Sequence, residues 1–271
     1  MNKFKGILFC TDLDGTLYKT DKTISRENLQ AIEYFKSEGG LFTFITGRMP
    51  VIATEVYEKI HPNAPYGCGN GSCIFDGEKN KFLWSQFLDG DFMELIRAVE
   101  KNLPEMGIHY NTEDKIYFIK DSLIMQEFRH LTGVENLTST LDGVMEPIIK
   151  AVFGHHEEEK ISALKNILHN HEKAYKFDFI RSEKWLYELL PKGVSKGKVL
   201  MKMAELLNIE KTVAVGDYNN DVSMIKAATC GIAVENAVEE AKKVADYITV
   251  SNEDHAIKAI VDMLDKGKII L

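Results

Sequence analysis

Short apolar runs alternate with amphipathic stretches at both ends of the chain. Residues 7–10 (ILFC) and 41–45 (LFTFI) have almost no polar interruption and are too short for helices. Such runs predict strands buried on both faces. Between them, residues 26–38 carry helical spacing, with Ser25 placed as an N-cap and Gly39-Gly40 as a stop. A second helix is expected from the Gly47-Arg48-Met49-Pro50 turn to about residue 60. The C-terminal part repeats the rhythm: helix 195–207, strand 212–216, helix 219–228, strand 230–234, helix 237–244, strand 247–250 and helix 254–266. The pattern predicts an α/β protein, with a Rossmann-like parallel sheet core and helices on both faces. Ligands of such sheets sit at the carboxyl ends of the strands. Asp12, Thr46 and Asp217 each follow an apolar run, so one sheet would bring all three to one edge.

The middle of the chain reads differently. Strand pairs are expected at 108–111 with 116–119 and at 175–180 with 185–190, and helical patterns at 92–102, 122–131 and 157–170. An insertion of about a hundred residues is better read as a domain than as a loop. The expectation is a discontinuous core, residues 1–83 and 191–271, holding an inserted α+β cap at 84–190. Trp84 and Trp185 would then lie near the two ends of the insertion.

Composition narrows the class. Of 271 residues, 45% are hydrophobic, enough for a full core. Lys and Arg number 33 against 41 Asp and Glu, a net charge of −8, which argues against a nucleic-acid binder. Cys10, Cys68, Cys73 and Cys230 form no CxxC pair, so free thiols of a reducing cytosol are expected, with no zinc or disulfide framework. The apolar run near the start is too short for a signal peptide, and no run is long enough to span a membrane. These readings give a cytoplasmic protein. The His155-His156-Glu157-Glu158-Glu159 run matches no common ligand spacing and reads as an acidic helix start.

Two carboxylates two residues apart, Asp12 and Asp14 in Cys10-Thr11-Asp12-Leu13-Asp14-Gly15-Thr16-Leu17, stand at the mouth of the first strand. A carboxylate can act as a nucleophile and form an aspartyl phosphate. Two unit charges 4 Å apart repel by about 4 kcal/mol at an effective dielectric of 20, so such a site needs cations. Mg²⁺ bridging carboxylates and phosphate oxygens would supply one. Asp217, at the end of the strand 212–216, suits a metal ligand, and Asp221, four residues on, could hold metal-bound water. Lys196 supplies a compact positive charge, Thr46 a hydroxyl, and Gly47 room for close backbone approach to an oxyanion. Asp14 could protonate a leaving oxygen and later activate water, and Gly15 would allow a sharp turn.

With these residues in order, the sequence resembles the haloacid dehalogenase superfamily. The matching pieces are DLDGT at 12–16, ITGR at 45–48, SKG at 195–197 and GDYNND at 216–221. The insertion falls between the second and third, as in the Cof-type subgroup with its large α/β cap. The resemblance implies Asp12 as nucleophile and Asp14 as acid/base. It implies Mg²⁺ held by Asp12, the Asp14 backbone carbonyl and Asp217 with Asp221 in support, and a phosphoryl group bound by Thr46, Gly47, Lys196 and Asn220. Arg48 and Asn70 look like further family positions near the substrate. Gly69 and His255 depart from the usual residues at their positions, acid and Gly respectively. His109, Tyr110 and Arg181 are further candidates for substrate contact.

The function expected is Mg²⁺-dependent hydrolysis of a small phosphomonoester, a sugar phosphate or phosphorylated cofactor, with the cap closing over it and excluding water. A phosphomutase of the same superfamily and a non-catalytic metabolite sensor stand as alternatives. A response-regulator receiver shares an acidic site, a Thr and a Lys, but places its acceptor Asp on a later strand and carries no such insertion.

Overall fold

The structure, a computed structural model, describes residues 2–271. In chain order the elements are β1 (Ile7–Thr11), α1 (Arg26–Ser37), β2 (Leu41–Phe44), α2 (Pro50–Ile60), β3 (Tyr66–Cys68), β4 (Cys73–Asp76) and β5 (Lys81–Ser85). There follow α3 (Phe92–Asn102), β6 (Gly107–Asn111), β7 (Ile116–Lys120), α4 (Leu123–Thr132), β8 (Leu137–Thr138), β9 (Lys150–Gly154), α5 (Glu158–His169), β10 (Phe177–Glu183) and β11 (Leu186–Pro191). The last are α6 (Lys196–Leu207), β12 (Lys211–Gly216), α7 (Val222–Ala227), β13 (Cys230–Ala233), α8 (Glu239–Val244), β14 (Tyr247–Ile248) and α9 (Ala256–Asp265). They fall into two compact units. One comprises Met1–Gly47, Glu55–Trp84 and Ser195–Leu271; the other comprises Arg48–Thr54 and Ser85–Val194.

The first unit is built on a five-stranded sheet in the order β14-β13-β12-β1-β2, every pairing parallel. Alternation along β1 sends Leu8 and Cys10 to one face, where they pack with Val199, Leu200 and Met203 of α6 and Met224 of α7. Phe9 points the other way, 5.6 Å edge-on to Phe35 of α1 and 5.1 Å from Phe42. Both faces are therefore covered by helices, which is why the strands read as continuous apolar runs. Ser25 caps α1 through its hydroxyl, which accepts from the Asn28 N–H. Gly39 follows with φ +86°, and a Cβ on Gly40 would lie 2.2 Å from the Phe35 ring, so the stop is required by both conformation and packing.

A small second sheet, β3-β4-β5, has no counterpart in the sequence reading. Its strands are short and its hairpin loop, residues 69–72, carries no hydrophobic period.

The second unit has a six-stranded sheet, β10-β11-β9-β6-β7-β8, antiparallel except for the β7–β8 pair. One face packs on α3 and α5 through Phe92, Leu95, Ile96, Val99, Leu164 and Leu168. The expected strand pairs form β6–β7 and β10–β11, whereas β9, between β6 and β11, was absent from the reading. Tyr175 lies in a short 3₁₀ turn before β10 instead of in the strand. Trp185 occupies the turn between β10 and β11, inside this unit and away from its Val194 end, so it does not mark the junction as expected. Trp84 does end a segment of the first unit, its ring under the Lys202 ammonium at 4.9 Å.

Candidate active site

The sheet order explains the site. β12, β1 and β2 are adjacent and parallel, so their carboxyl ends lie side by side. Asp12 follows β1, with its N–H donated to the Val215 carbonyl at 2.9 Å, and Asp217 follows β12. Thr46 lies just past β2, its N–H on the Gly67 carbonyl and its carbonyl accepting from Asn70 N–H, each at 3.0 Å. Parallel pairing thus gathers residues some two hundred positions apart along the chain onto one edge.

Lys196 stands at the centre. Ser195 caps α6, so Lys196 is its first residue, and the side chain is 1% exposed. Its ammonium donates to Asp12 Oδ1 at 2.5 Å and to Asp221 Oδ1 at 2.6 Å. Glycine places it there. A Cβ on Gly197 would lie 2.2 Å from the Ser223 carbonyl oxygen, so only glycine lets α6 approach the first turn of α7 this closely. Burial by itself would lower the Lys196 pKa, but Asp12 and Asp221 outweigh it, and the pKa is raised.

Asp221 does more than the helix-start acid expected of it. It is fully buried, and besides Lys196 its Oδ2 accepts the backbone N–H groups of Asp217 and Tyr218, both at 3.0 Å. It makes no side-chain cap to α7, which begins only at Val222; residues 218–220 form a turn. The carboxylate thereby shapes the loop that presents Asp217. Thr16, at the end of the DLDGT segment, donates its hydroxyl to Asp217 Oδ1 at 3.0 Å. The sequence reading gave Thr16 no role, although its place in that segment was the available signal.

Oxygen atoms of Asp12, Asp217 and Asp221 come within 4.8 Å of one another. Three carboxylates around one lysine leave a surplus of negative charge. Burial first, then repulsion from Asp221, pushes Asp217 up to about 7. Asp12 is raised well above the usual carboxylate range by burial first and by Asp221 second, against the pull of Lys196. Carboxylate oxygens in such a cluster are the donor set of a hard divalent cation, so the residues fit one.

Asp14 is partly exposed and accepts from Lys22 Nζ at 2.8 Å. Lys22 has a left-handed backbone, φ 63°, and nothing in the sequence singled it out. Asn220 donates from Nδ2 to Asn70 Oδ1 at 3.0 Å, and both side chains are buried. A Cβ on Gly47 would lie 2.9 Å from Asn70 Nδ2, so the space Gly47 leaves is taken by the Asn70 amide. The structure therefore gathers Asp12, Asp217, Asp221 and Lys196 directly, and joins Thr46, Gly47, Asn70 and Asn220 into a second contact set.

Other candidates lie elsewhere. Arg48 begins the short segment belonging to the second unit. His109 is 1% exposed, with its ring stacked 4.9 Å from Phe128; burial, then the charge of Lys150, pushes its pKa down to about 3. Tyr110 packs in the second unit's core with its hydroxyl 3.8 Å from Met93 Sδ. Arg181 pairs with Glu158 through both terminal nitrogens. No helix among the described residues is long and apolar enough to cross a membrane.

Comparisons with known proteins agree with this geometry. The family model described as haloacid dehalogenase-like hydrolase matches residues 9–261. A 5-amino-6-(5-phospho-D-ribitylamino)uracil phosphatase of Bacillus subtilis is 26% identical over 267 residues, covering 93% of this chain and 95% of that protein. A pyridoxal phosphate phosphatase of Escherichia coli is 25% identical, covering 92% of this chain and 95% of that protein. A haloacid dehalogenase-like hydrolase of Bacteroides thetaiotaomicron has the same fold, with a TM-score of 0.82, 24% identity, and coverage of 96% of this chain and 99% of that one.

Proposed function

The chain belongs to the haloacid dehalogenase-like hydrolases, and from that premise we propose that it is a Mg²⁺-dependent phosphatase of small phosphomonoesters acting through an aspartyl phosphate on Asp12. The observation that carries the reading is the buried Asp12–Lys196–Asp221 bridge with Asp217 beside it at the carboxyl edge of the sheet. A buried acid cluster of this kind is costly for folding alone, which argues for a ligand that uses it. The relatives named above act on a ribityl phosphate linked to a pyrimidine and on a phosphorylated cofactor, which supports a sugar phosphate or phosphorylated cofactor as the substrate class.

In this reading a carboxylate oxygen of Asp12 attacks phosphorus and the bond from phosphorus to the ester oxygen breaks. Asp14 gives its proton to the departing oxygen. Water then attacks phosphorus, Asp14 takes a proton from it, and inorganic phosphate leaves with Asp12 restored. Lys196, Thr46 and Asn220 bind the phosphoryl oxygens. Asp12, the Asp14 carbonyl and Asp217, with Asp221 in support, would hold Mg²⁺, which supplies charge neutralisation when bound. The inserted unit carries the substrate selectivity in this reading, and Arg48 of the second unit and Asn70 of the first are the first positions to test.

The test is phosphate release from a panel of sugar phosphates, phosphorylated cofactors and an aryl phosphate, with and without Mg²⁺. Mg²⁺-dependent release is expected, with a ranking among leaving groups. Return of the phosphoryl group to a sugar hydroxyl would make the protein a mutase, and binding without turnover a sensor; either result overturns hydrolysis.

Mg²⁺ affinity should depend on pH. Asp217, raised to about 7, must lose its proton to bind a cation. Affinity should therefore weaken as pH falls, by about tenfold between pH 8 and pH 6 for this group alone. Calorimetric titration in buffers of different ionisation enthalpy would report the released protons; a flat affinity with no proton release would mean that Asp217 is already ionised.

A further inference from the structure

We propose that Asn236 and Asn252 are positioning residues that fix the Asp14 loop against Asp217; this rests on the phosphatase reading for its catalytic consequence but not for its structural one. Neither residue belongs to the four matching segments. Asn236 lies in the turn after β13, and Asn252 begins the 3₁₀ turn before α9.

Their amides meet the loop after β1 at two backbone carbonyls. Asn236 Nδ2 donates to the Gly15 carbonyl at 2.8 Å, and Asn252 Nδ2 to the Tyr18 carbonyl at 2.9 Å. The two asparagines are themselves joined, with Asn252 N–H donated to Asn236 Oδ1 at 3.0 Å. Asn252 is 6% exposed, whereas Asn236 is exposed. Glu253, next in the same turn, accepts from the Thr20 N–H at 2.7 Å. Loop 15–20 is thus held from one side at three backbone groups.

The turn that carries Asn236 also holds the other loop. Val238 N–H donates to the Asp217 carbonyl at 2.9 Å, and Val234 N–H to the Gly216 carbonyl at 3.3 Å. One turn therefore grips both the loop bearing Asp14 and the loop bearing Asp217. The tolerance between those loops is small. Gly15 has φ +86°, and a Cβ there would lie 2.4 Å from Asp217 Oδ2. A shift of Gly15 would move its neighbour Asp14 and press on the Asp217 carboxylate. Positioning errors of this size cost rate, because proton transfer depends on hydrogen-bond reach.

The test uses Asn236→Asp and Asn236→Ala in the full chain. The aspartate keeps an acceptor for Asn252 N–H and replaces the donor toward Gly15 with a second acceptor. Amide hydrogen exchange is the readout independent of activity: residues 13–20 should exchange about tenfold faster in both variants, with β1 and the melting midpoint little changed because Asn236 is exposed. On an aryl phosphate, kcat should fall about tenfold with KM within about twofold, and the alkaline and acid limbs of the kcat profile should move. Unchanged exchange in residues 13–20 overturns the proposal, whatever the activity. Faster exchange with wild-type kcat and pH profile overturns the catalytic role. Faster exchange in a chain whose wild type releases no phosphate at all leaves the clamp standing and removes the phosphatase reading instead.

Discussion

Asp12→Asn should abolish phosphate release, by at least about a thousandfold, which corresponds to about 4 kcal/mol of lost transition-state stabilisation. The amide is nearly isosteric with the carboxylate and keeps an oxygen able to accept from the Lys196 ammonium, which donates to Asp12 Oδ1 at 2.5 Å. What it loses is the anionic oxygen that the proposed mechanism uses as nucleophile. Because burial and Asp221 raise the Asp12 pKa, removing this charge also relieves repulsion, and the metal-free variant should melt no lower than wild type. That combination, a dead enzyme that is at least as stable, separates a chemical role from a structural one. Assays at saturating Mg²⁺ guard against weakened metal binding: activity that returns as Mg²⁺ is raised would make Asp12 a ligand only, and the covalent route would fall.

Lys196→Met should damage both stability and activity. Methionine fills similar space without charge, leaving Asp12 and Asp221 facing each other in a site that is almost closed to water. Removing one partner of a buried ion pair costs about 3–5 kcal/mol. The sign of the pH dependence follows from Asp12, whose carboxyl burial first and Asp221 second already hold above the usual range. At alkaline pH it must stay an anion without its cation, so the loss is largest there. As pH falls Asp12 takes up a proton, so the loss shrinks. Chemical denaturation at pH 8 and pH 5 without metal would show the difference, and equal losses at the two values would mean that Lys196 contributes packing and not charge. Added Mg²⁺ should recover part of the stability, since a cation can take up the same surplus charge.

Much of the fold was legible because buried parallel strands write themselves as apolar runs. β1, β2 and β12, and the helices between them, follow from runs and caps such as Ser25 and Gly39. The strands that went unseen, β3 to β5, β8 and β9, are short or lack alternation, and only their partners make them strands. The chemistry was legible too, not from the carboxylate pair alone, which a solvated turn could also carry, but from the ordered set DLDGT, ITGR, SKG and GDYNND and the family it resembles. His109 and Tyr110, by contrast, looked like candidate contacts and lie in the second unit's interior. Sequence period cannot tell a buried polar face from a ligand face.

The sequence by itself determined the α/β class, the strands and helices of the parallel sheet, and the set of chemically able residues. Only the tertiary structure decided how those residues meet. It put Lys196 between Asp12 and Asp221, set Asn70 into the space beside Gly47, and closed the Asn236–Asn252 clamp onto the loop after β1. The physical reason is range. Helix period, caps and apolar runs act within a few residues, whereas the order β14-β13-β12-β1-β2 is set by burial of whole faces and brings together side chains more than two hundred positions apart, such as Thr16 and Asp217.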